Sequence, residues 1–316
     1  MSDVAGVPPM IDGIQSALAP HGPEAARILE ITWIMVIGGA AIFALVMTLA
    51  ALAVLAPRPW LSGTRLIVAG GIVLPVVVLP ALLVYTLLAE PRLSAAGNAD
   101  LAIRVVAYQW WWRVDYLDAR GRIDFTTANE IHIPVGQVVE LRLQSADVLH
   151  SFWVPALAGK LDHIPGKDNR LRLMADRPGT YRGQCAEYCG GPHAQMAFFL
   201  VAEAPARFES WRAAQRRPRA GAPDGEAARG ERLFLAHCVV CHTVRGTIAE
   251  GELGPDLTHF ASRLSLGAGI LPNRAGTVAG WITSSQHLKP GNLMPEFRQF
   301  DSAELRALTR WLESLE

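Results

Sequence analysis

The 316 residues carry 29 Lys and Arg against 29 Asp and Glu, a net charge of zero, which removes the basic footprint that nucleic-acid binding needs. The chain is 51% hydrophobic and only 18% charged, more apolar than soluble cores require and long enough for two domains. Four cysteines fall in two close pairs, Cys185/Cys189 and Cys238/Cys241. If each pair holds a metal or a haem, none is left for a disulfide framework.

Residues 1–30 are polar, contain Pro8, Pro9, Pro20 and Pro23, and read as a loose N-terminal tail. No basic segment followed by an apolar core precedes residue 30, so the pattern of an ordinary signal peptide is not visible. Residues 31–92 read as a transmembrane hairpin. Its first span, 31–56, is without charge and long enough for a hydrocarbon core of roughly 30 Å. The second, 66–89, is closed by Glu90-Pro91-Arg92, and Pro75 and Pro80 predict kinks in it. Neither span has a polar face, which argues against a pair of buried soluble helices. The stretch between them, 57–65, holds Arg58 and Arg65 and no acid. The positive-inside rule therefore puts it in the cytoplasm and the tail and everything after residue 90 outside.

From 100 to 204 the pattern changes to short alternating segments separated by Gly, Pro, Asn and Asp. It predicts strands at 102–116, 130–133, 138–144, 170–174, 179–184 and 197–202, hence a sandwich or barrel. Within this unit lies C-A-E-Y-C-G-G-P-H-A-Q-M, 185–196. Two thiols, an imidazole and a thioether this close together have the density of a metal loop, and soft sulfur ligands point to copper. His150, in the apolar run V-L-H-S-F-W, could add a ligand from elsewhere in the fold. A mononuclear blue-copper site needs one cysteine, so the second argues for two coppers; a Cys185–Cys189 disulfide is the bland alternative. Tyr108-Gln109-Trp110-Trp111-Trp112 reads as a strand whose aromatics alternate between core and surface.

Residues 205–224 read as a linker that opens with a short helix, Phe208 and Trp211 on one side, and continues rich in Pro, Gly and Arg. Residues 225–316 follow as a second extramembrane domain. Cys238-Val239-Val240-Cys241-His242 is the C-x-x-C-H pattern of c-type haem attachment, with His242 as the proximal iron ligand. Helices are expected at 225–236 and 301–315, the latter with Asp301 and Glu304 spaced as a capping box. Met294, in K-P-G-N-L-M-P-E, is the only methionine after Met196 and is the expected distal ligand; His259 and His287 are the alternatives. This form of haem attachment takes place outside the bacterial cytoplasm, in agreement with the arginine-bearing loop.

The spacing C-x-E-x-C-G-x-x-H-x-x-M, with D-V-L-H-S-F-W-V-P before it, resembles the dinuclear copper (CuA) loop of cytochrome c oxidase subunit II. With the C-x-x-C-H domain, the whole chain resembles the caa type, in which that subunit is fused to a cytochrome c domain. The resemblance implies a multidomain membrane protein: a two-helix transmembrane hairpin, a cupredoxin-like β-sandwich and an all-α class I cytochrome c domain. It implies CuA ligands Cys185 and Cys189 as bridging thiolates, His150, His193, Met196 and the Glu187 carbonyl. The Glu187 side chain would also reach a magnesium ion shared with subunit I. It implies haem c held by Cys238, Cys241, His242 and Met294, with Gly254-Pro255 orienting the histidine. Gly230, Phe234 and Trp311 would form the crossing of the first and last helices. Trp110 is expected where electrons enter, although the family usually has His where this chain has Tyr108, and Asp147 near the donor-docking face.

The implied function is an electron-receiving subunit of a haem-copper terminal oxidase. It passes electrons from haem c to CuA and on to subunit I, which reduces oxygen to water with proton translocation; the chain itself contains no catalytic residue. The implied partners are subunit I, subunit III, an external donor such as a cytochrome or a quinol-oxidising complex, and membrane lipid. The implied location is the bacterial inner membrane, with the N-terminus and the C-terminal domains on the periplasmic side. Two other readings remain open: a CuA-containing nitric oxide reductase subunit, and a stand-alone membrane-anchored electron carrier.

Overall fold

A computed structural model describes residues 14–56, 63–88 and 99–316. The tail up to residue 13, residues 57–62 with one of the two loop arginines, Arg58, and Glu90 to Arg92 lie outside the described residues.

Two helical segments are long and apolar enough to cross a membrane, Pro23–Leu55 (α1) and Thr64–Leu88. The second is α-helical over Thr64–Val68 (α2), widens to a π turn over Ala69–Val73, and resumes as α3, Leu74–Leu88. Pro75 cannot donate to the carbonyl of Gly71 and its ring crowds the preceding turn, and the wider turn accommodates both. Pro80 sits inside α3. Tyr85 of α3 donates to the Glu30 carboxylate of α1 at 2.9 Å, one polar tie between the two helices.

The residues before α1 are not a loose tail throughout. Ile14 N donates to Thr180 O (2.8 Å), Arg182 N donates to Ile14 O (3.1 Å), and His21 N donates to Ala156 O (2.7 Å). A Cβ on Gly22 would come within 2.9 Å of Leu157 O, so only glycine lets the chain pass this closely. The segment ahead of the first span therefore rests on the same body as the chain that follows the second span. Two crossings between them satisfy that geometry.

Ten strands form a two-layer sandwich. One sheet has the order β3-β2-β1-β5-β8: Ile123–Ala128, Trp111–Leu117, Leu101–Tyr108, Val139–Ser145 and Asn169–Leu173. The other has the order β4-β10-β9-β6-β7: Glu130–Pro134, Ala197–Glu203, Gly179–Cys185, His150–Trp153 and Leu161–His163. The β1/β5 and β4/β10 pairs are parallel and the rest antiparallel. Alternate residues of β1 are buried, and Trp112, Tyr116, Phe152 and Phe198 fill the space between the layers. The single strand expected over 102–116 is two strands: Tyr108 pairs with Trp111 across a turn at Gln109-Trp110.

Helix α4 (Pro205–Gln215) buries Phe208 against the sandwich and stacks Trp211 on His132, centroids 4.0 Å apart. The expected linker is pinned beyond it: Arg216 pairs with Asp124 at 2.6 Å and Arg219 with Glu231 at 2.6 Å. The C-terminal unit holds α5 (Gly225–His237), α6 (Ala275–Leu288) and α7 (Ser302–Leu312), with two short hairpins, β11–β12 (Thr243–Val244, Ala249–Glu250) and β13–β14 (Ser265–Leu266, Leu271–Pro272). The Asp301 side chain accepts from the Ala303 and Glu304 amides, and Glu304 reaches back to the Asp301 amide, completing the capping box. Helices α5 and α7 cross at Gly230, and Phe234 and Trp311 pack beside it with centroids 4.4 Å apart.

Candidate redox sites

The loop from Cys185 to Met196 joins β9 to β10, with Cys185 the last residue of β9. His150 opens β6, whose Phe152 pairs with Cys185. Two adjacent strands and one loop therefore bring six candidate donors together. The two sulfurs lie 3.7 Å apart, unbonded. His150 Nδ1 is 3.9 Å from Cys185 Sγ, His193 Nδ1 is 3.6 Å from Cys189 Sγ, and Met196 Sδ is 3.8 Å from Cys189 Sγ. The Glu187 carbonyl is 3.2 Å from Cys185 Sγ. Each cysteine thus has one imidazole, with the thioether on one side and the carbonyl on the other. Cys185, Cys189, His150 and Met196 are all buried.

The electrostatics suit a cation. Cys185 is pulled down to about 3, first by the hydrogen bond from Cys189 and then, against burial, by His150 and backbone donors. That same bond raises Cys189, so the pair without metal keeps one proton. A bound metal would displace that proton and take both thiolates. Asp147 Oδ1 lies 2.7 Å from His150 Nε2. A carboxylate only accepts, so this nitrogen carries the proton and Nδ1 is free to ligate. Asp147 also accepts from the Gln109 amide at 2.7 Å. Burial opposes its charge, but these donors hold Asp147 below the usual carboxylate range. Asp147 thus stands behind His150 as its orienting partner, a role that sequence spacing did not reveal. The side chain of Glu187 points outward to Lys160, 3.2 Å away.

The β1–β2 turn covers this loop. Gln109 Nε2 and Trp110 Nε1 both donate to Cys189 O, at 2.7 and 2.9 Å. Gly190, at φ +114°, lies where a Cβ would stand 3.0 Å from the Trp110 ring. Trp112 is fully buried in the core, whereas Tyr108 and Trp111 stack on each other at 4.7 Å on the other face.

The second site is a cavity of about 740 Å³ between the C-terminal unit and the sandwich. Cys238, Cys241, His242 and Met294 line it from one side, and Tyr108, Trp110 and Trp111 from the other. His242 Nδ1 donates to Pro255 O at 2.8 Å, leaving Nε2 as the free lone pair, and burial keeps the ring neutral. A Cβ on Gly254 would come 2.7 Å from His242 Cε1, so glycine is required beside the ring. The Met294 loop is held by its backbone: its amide donates to Asn292 Oδ1 (2.9 Å) and its carbonyl accepts from Ser285 and Gln286 (2.9 Å each). His259 is occupied with Arg217 O at 3.0 Å, and His287 is exposed; neither lines the cavity. Paired thiols, a neutral imidazole and a thioether around one apolar cavity fit a covalent haem, as the six-donor cluster fits copper.

The family described as "Cytochrome C oxidase subunit II, periplasmic domain" matches residues 122–203, and "Cytochrome c" matches residues 227–316. Cytochrome c oxidase subunit 2 of Alkalihalophilus pseudofirmus is 38% identical over 220 residues, covering 69% of this chain and 62% of that relative. The chain thus spans somewhat less than two thirds of that relative's length. Cytochrome c oxidase subunit 2 of Bacillus subtilis is 30% identical over 255 residues, covering 77% of this chain and 70% of the relative. Among solved structures, the periplasmic domain of subunit II of cytochrome oxidase from Bradyrhizobium japonicum is similar at 31% identity, covering 38% of this chain and 96% of that one with a TM-score of 0.36. On its sequence relatives, with a hairpin of apolar helices and both expected donor sets gathered, the chain belongs to the cytochrome c oxidase subunit 2 family.

Proposed function

We propose that this chain is the electron-receiving subunit of a haem-copper terminal oxidase of the caa type. On this reading 1–30 precedes the anchor, 31–92 is the transmembrane hairpin, 100–204 the copper domain, 205–224 the connection and 225–316 the cytochrome c domain. When bound, haem c and a copper pair would each supply a one-electron redox centre. Cys238 and Cys241 would anchor the haem, and His242 and Met294 would ligate it. Cys185, Cys189, His150, His193, Met196 and the Glu187 carbonyl would hold the copper pair. Asp147 fixes the tautomer of His150, and Pro255 that of His242. The Glu187 carboxylate, turned outward, is the group that would meet a magnesium ion shared with subunit I.

One observation carries the relay: the Trp110 indole donates to Cys189 O and also lines the cavity that holds Cys238, His242 and Met294. One aromatic ring thus adjoins both donor sets. Oxygen reduction and proton translocation belong, on this proposal, to a partner subunit in the membrane, and a periplasmic donor supplies the electrons.

The test is metal and haem content on the full chain in detergent, with an electron paramagnetic resonance spectrum and an inventory of co-purifying subunits. Two coppers sharing one unpaired electron, one covalent haem and a large haem-bearing partner are expected. One copper or none would overturn the copper assignment. Purification without any haem-bearing partner would favour a stand-alone carrier.

A further inference from the structure

Lys289 follows α6 and is 2% exposed, yet among the described residues it pairs with no carboxylate. Its ammonium donates instead to three backbone carbonyls: Trp110 O at 2.7 Å, Gln195 O at 2.8 Å and Gly267 O at 2.8 Å. The first acceptor lies in the β1–β2 turn and the second in the Cys185–Met196 loop, both parts of the sandwich. The third lies in the β13–β14 turn of the C-terminal unit. A buried ammonium is costly unless its donors are all used, and here three N–H groups meet three acceptors. Burial pulls the group down to about 7, with the nearby Cys189 sulfur acting weakly against that pull. Because every acceptor is a main-chain atom, the position of the ammonium fixes three backbone segments directly rather than through partner side chains.

The surroundings show what the contact sets in place. Two residues after Lys289, a Cβ on Gly291 would stand 3.5 Å from the Trp110 ring. Other hydrogen bonds cross the same boundary. Ala197 N donates to Ala268 O (2.9 Å), Leu264 N to Glu130 Oε2 (2.8 Å), Arg182 Nη1 to Gly269 O (3.1 Å) and Gln195 Nε2 to Leu288 O (3.2 Å). Lys289 joins three backbone segments at once, and one of them is Trp110, whose indole bonds to Cys189 O and which also lines the cavity of the second site.

We propose that Lys289 is an interdomain latch that seats the C-terminal unit on the sandwich and, by holding the Trp110 backbone, a positioning residue for electron transfer between the two centres. The second half rests on the relay reading above; the first does not. Neither the charge nor the length of the side chain is dispensable: Met keeps the stem without the donors, and Gln keeps two N–H groups on a shorter stem.

The experiment uses the assembled oxidase with Lys289→Met and Lys289→Gln. Hydrogen exchange is read at Ala197 and Leu264, whose amides are protected only while the units are docked, and at Cys238, whose amide bonds within α5 to Phe234 O. The haem and copper spectra are recorded, and equilibration between the centres is timed after photoreduction of the haem. In Lys289→Met the Ala197 and Leu264 amides should exchange at least tenfold faster while Cys238 and both spectra stay unchanged. Equilibration should slow at least tenfold, with Lys289→Gln intermediate in both. Unchanged exchange at Ala197 and Leu264 overturns the latch. Should Lys289→Met fail to assemble, Lys289→Gln alone decides, faster or unchanged. Faster exchange in an enzyme whose wild type shows no transfer between the centres leaves the latch standing and removes the relay.

Discussion

Gly230→Ala adds one methyl at the crossing of α5 and α7 and has nowhere to put it. The new Cβ would lie 2.6 Å from the carbonyl carbon of Ala307 and 2.8 Å from Trp311 Cβ, and nearer still to the Ala307 oxygen. Carbon atoms settle about 3.5 Å apart, so the helices must separate by about 1 Å. The obstacles are backbone and a buried Cβ, so no flexible side chain can swing away. Separation also opens the Phe234–Trp311 contact, where both rings are at most 1% exposed. Overpacking of this kind costs roughly 1–3 kcal/mol, and the lost ring contact brings the total to about 3 kcal/mol. In a unit of this size that lowers the melting temperature by roughly 10–20 °C. The assay is thermal unfolding of the haem-loaded chain followed by haem absorbance. Gly280→Ala in α6 serves as the control, because no atom outside its own helix lies within 4 Å of the Cβ site. It should gain about 0.5–1 kcal/mol from helix propensity. A Gly230→Ala protein that melts with the wild type, or with the control, would refute the tight crossing.

Cys189→Ser should abolish the paired-copper resonance while leaving covalent haem at one per chain, because one sulfur cannot bridge as two do; metal analysis and electron paramagnetic resonance check it. Met294→Ala should keep the haem attached but lower its potential by on the order of 0.1 V, within the ~0.8 V that axial ligands span, as read by redox titration. His132→Leu tests the buried group under α4. Burial opposes its protonation, but hydrogen bonds with Glu130 (2.9 Å) and Glu203 (3.1 Å) outweigh it and raise its pKa above 6.5. Arg207 reaches Glu203 at 3.7 Å and the Leu264 amide reaches Glu130. The folded pKa is the higher one, so the stabilisation is complete below about pH 6.5 and is lost as pH rises through the raised value. His132→Leu should therefore cost on the order of 3 kcal/mol at pH 6, the gap to wild type narrowing as pH rises, by denaturant unfolding. A gap independent of pH would rule out a charged His132.

The parts of the fold that announce themselves in side chains were legible. Uncharged spans, the Cys185–Met196 spacing, C-x-x-C-H, the capping box and the Gly230 crossing each depend on residue type at a fixed interval, and the helices and donor sets form around them. What failed depends on backbone geometry. The break between β1 and β2 falls at Gln109-Trp110, which holds none of the residues that usually mark a turn, so one long strand was expected. Strands β6 and β7 have four and three residues, too short to show a period of two. Asp147 is three residues from His150, but its part in orienting the ring appears only once β6 turns that ring toward Cys185. The seating of the two units on each other uses mostly main-chain acceptors, which leave no trace in residue identity.

The strand-like contact of Ile14 has a consequence for the order of synthesis. Gln15 bonds to Gln184 across 169 residues, and Ile14 adds to the edge of β9 beside it. A chain leaving the ribosome must commit its first residues to one side of the bilayer long before the surface that receives them has been made. Until β9 has been made the segment has no strand to pair with, and its contacts are among the least local of the fold. When it does close, it ties the start of the first span to the finished sandwich, so that the anchor and the soluble body are sealed from the N-terminal side as well as through the chain that follows the second span.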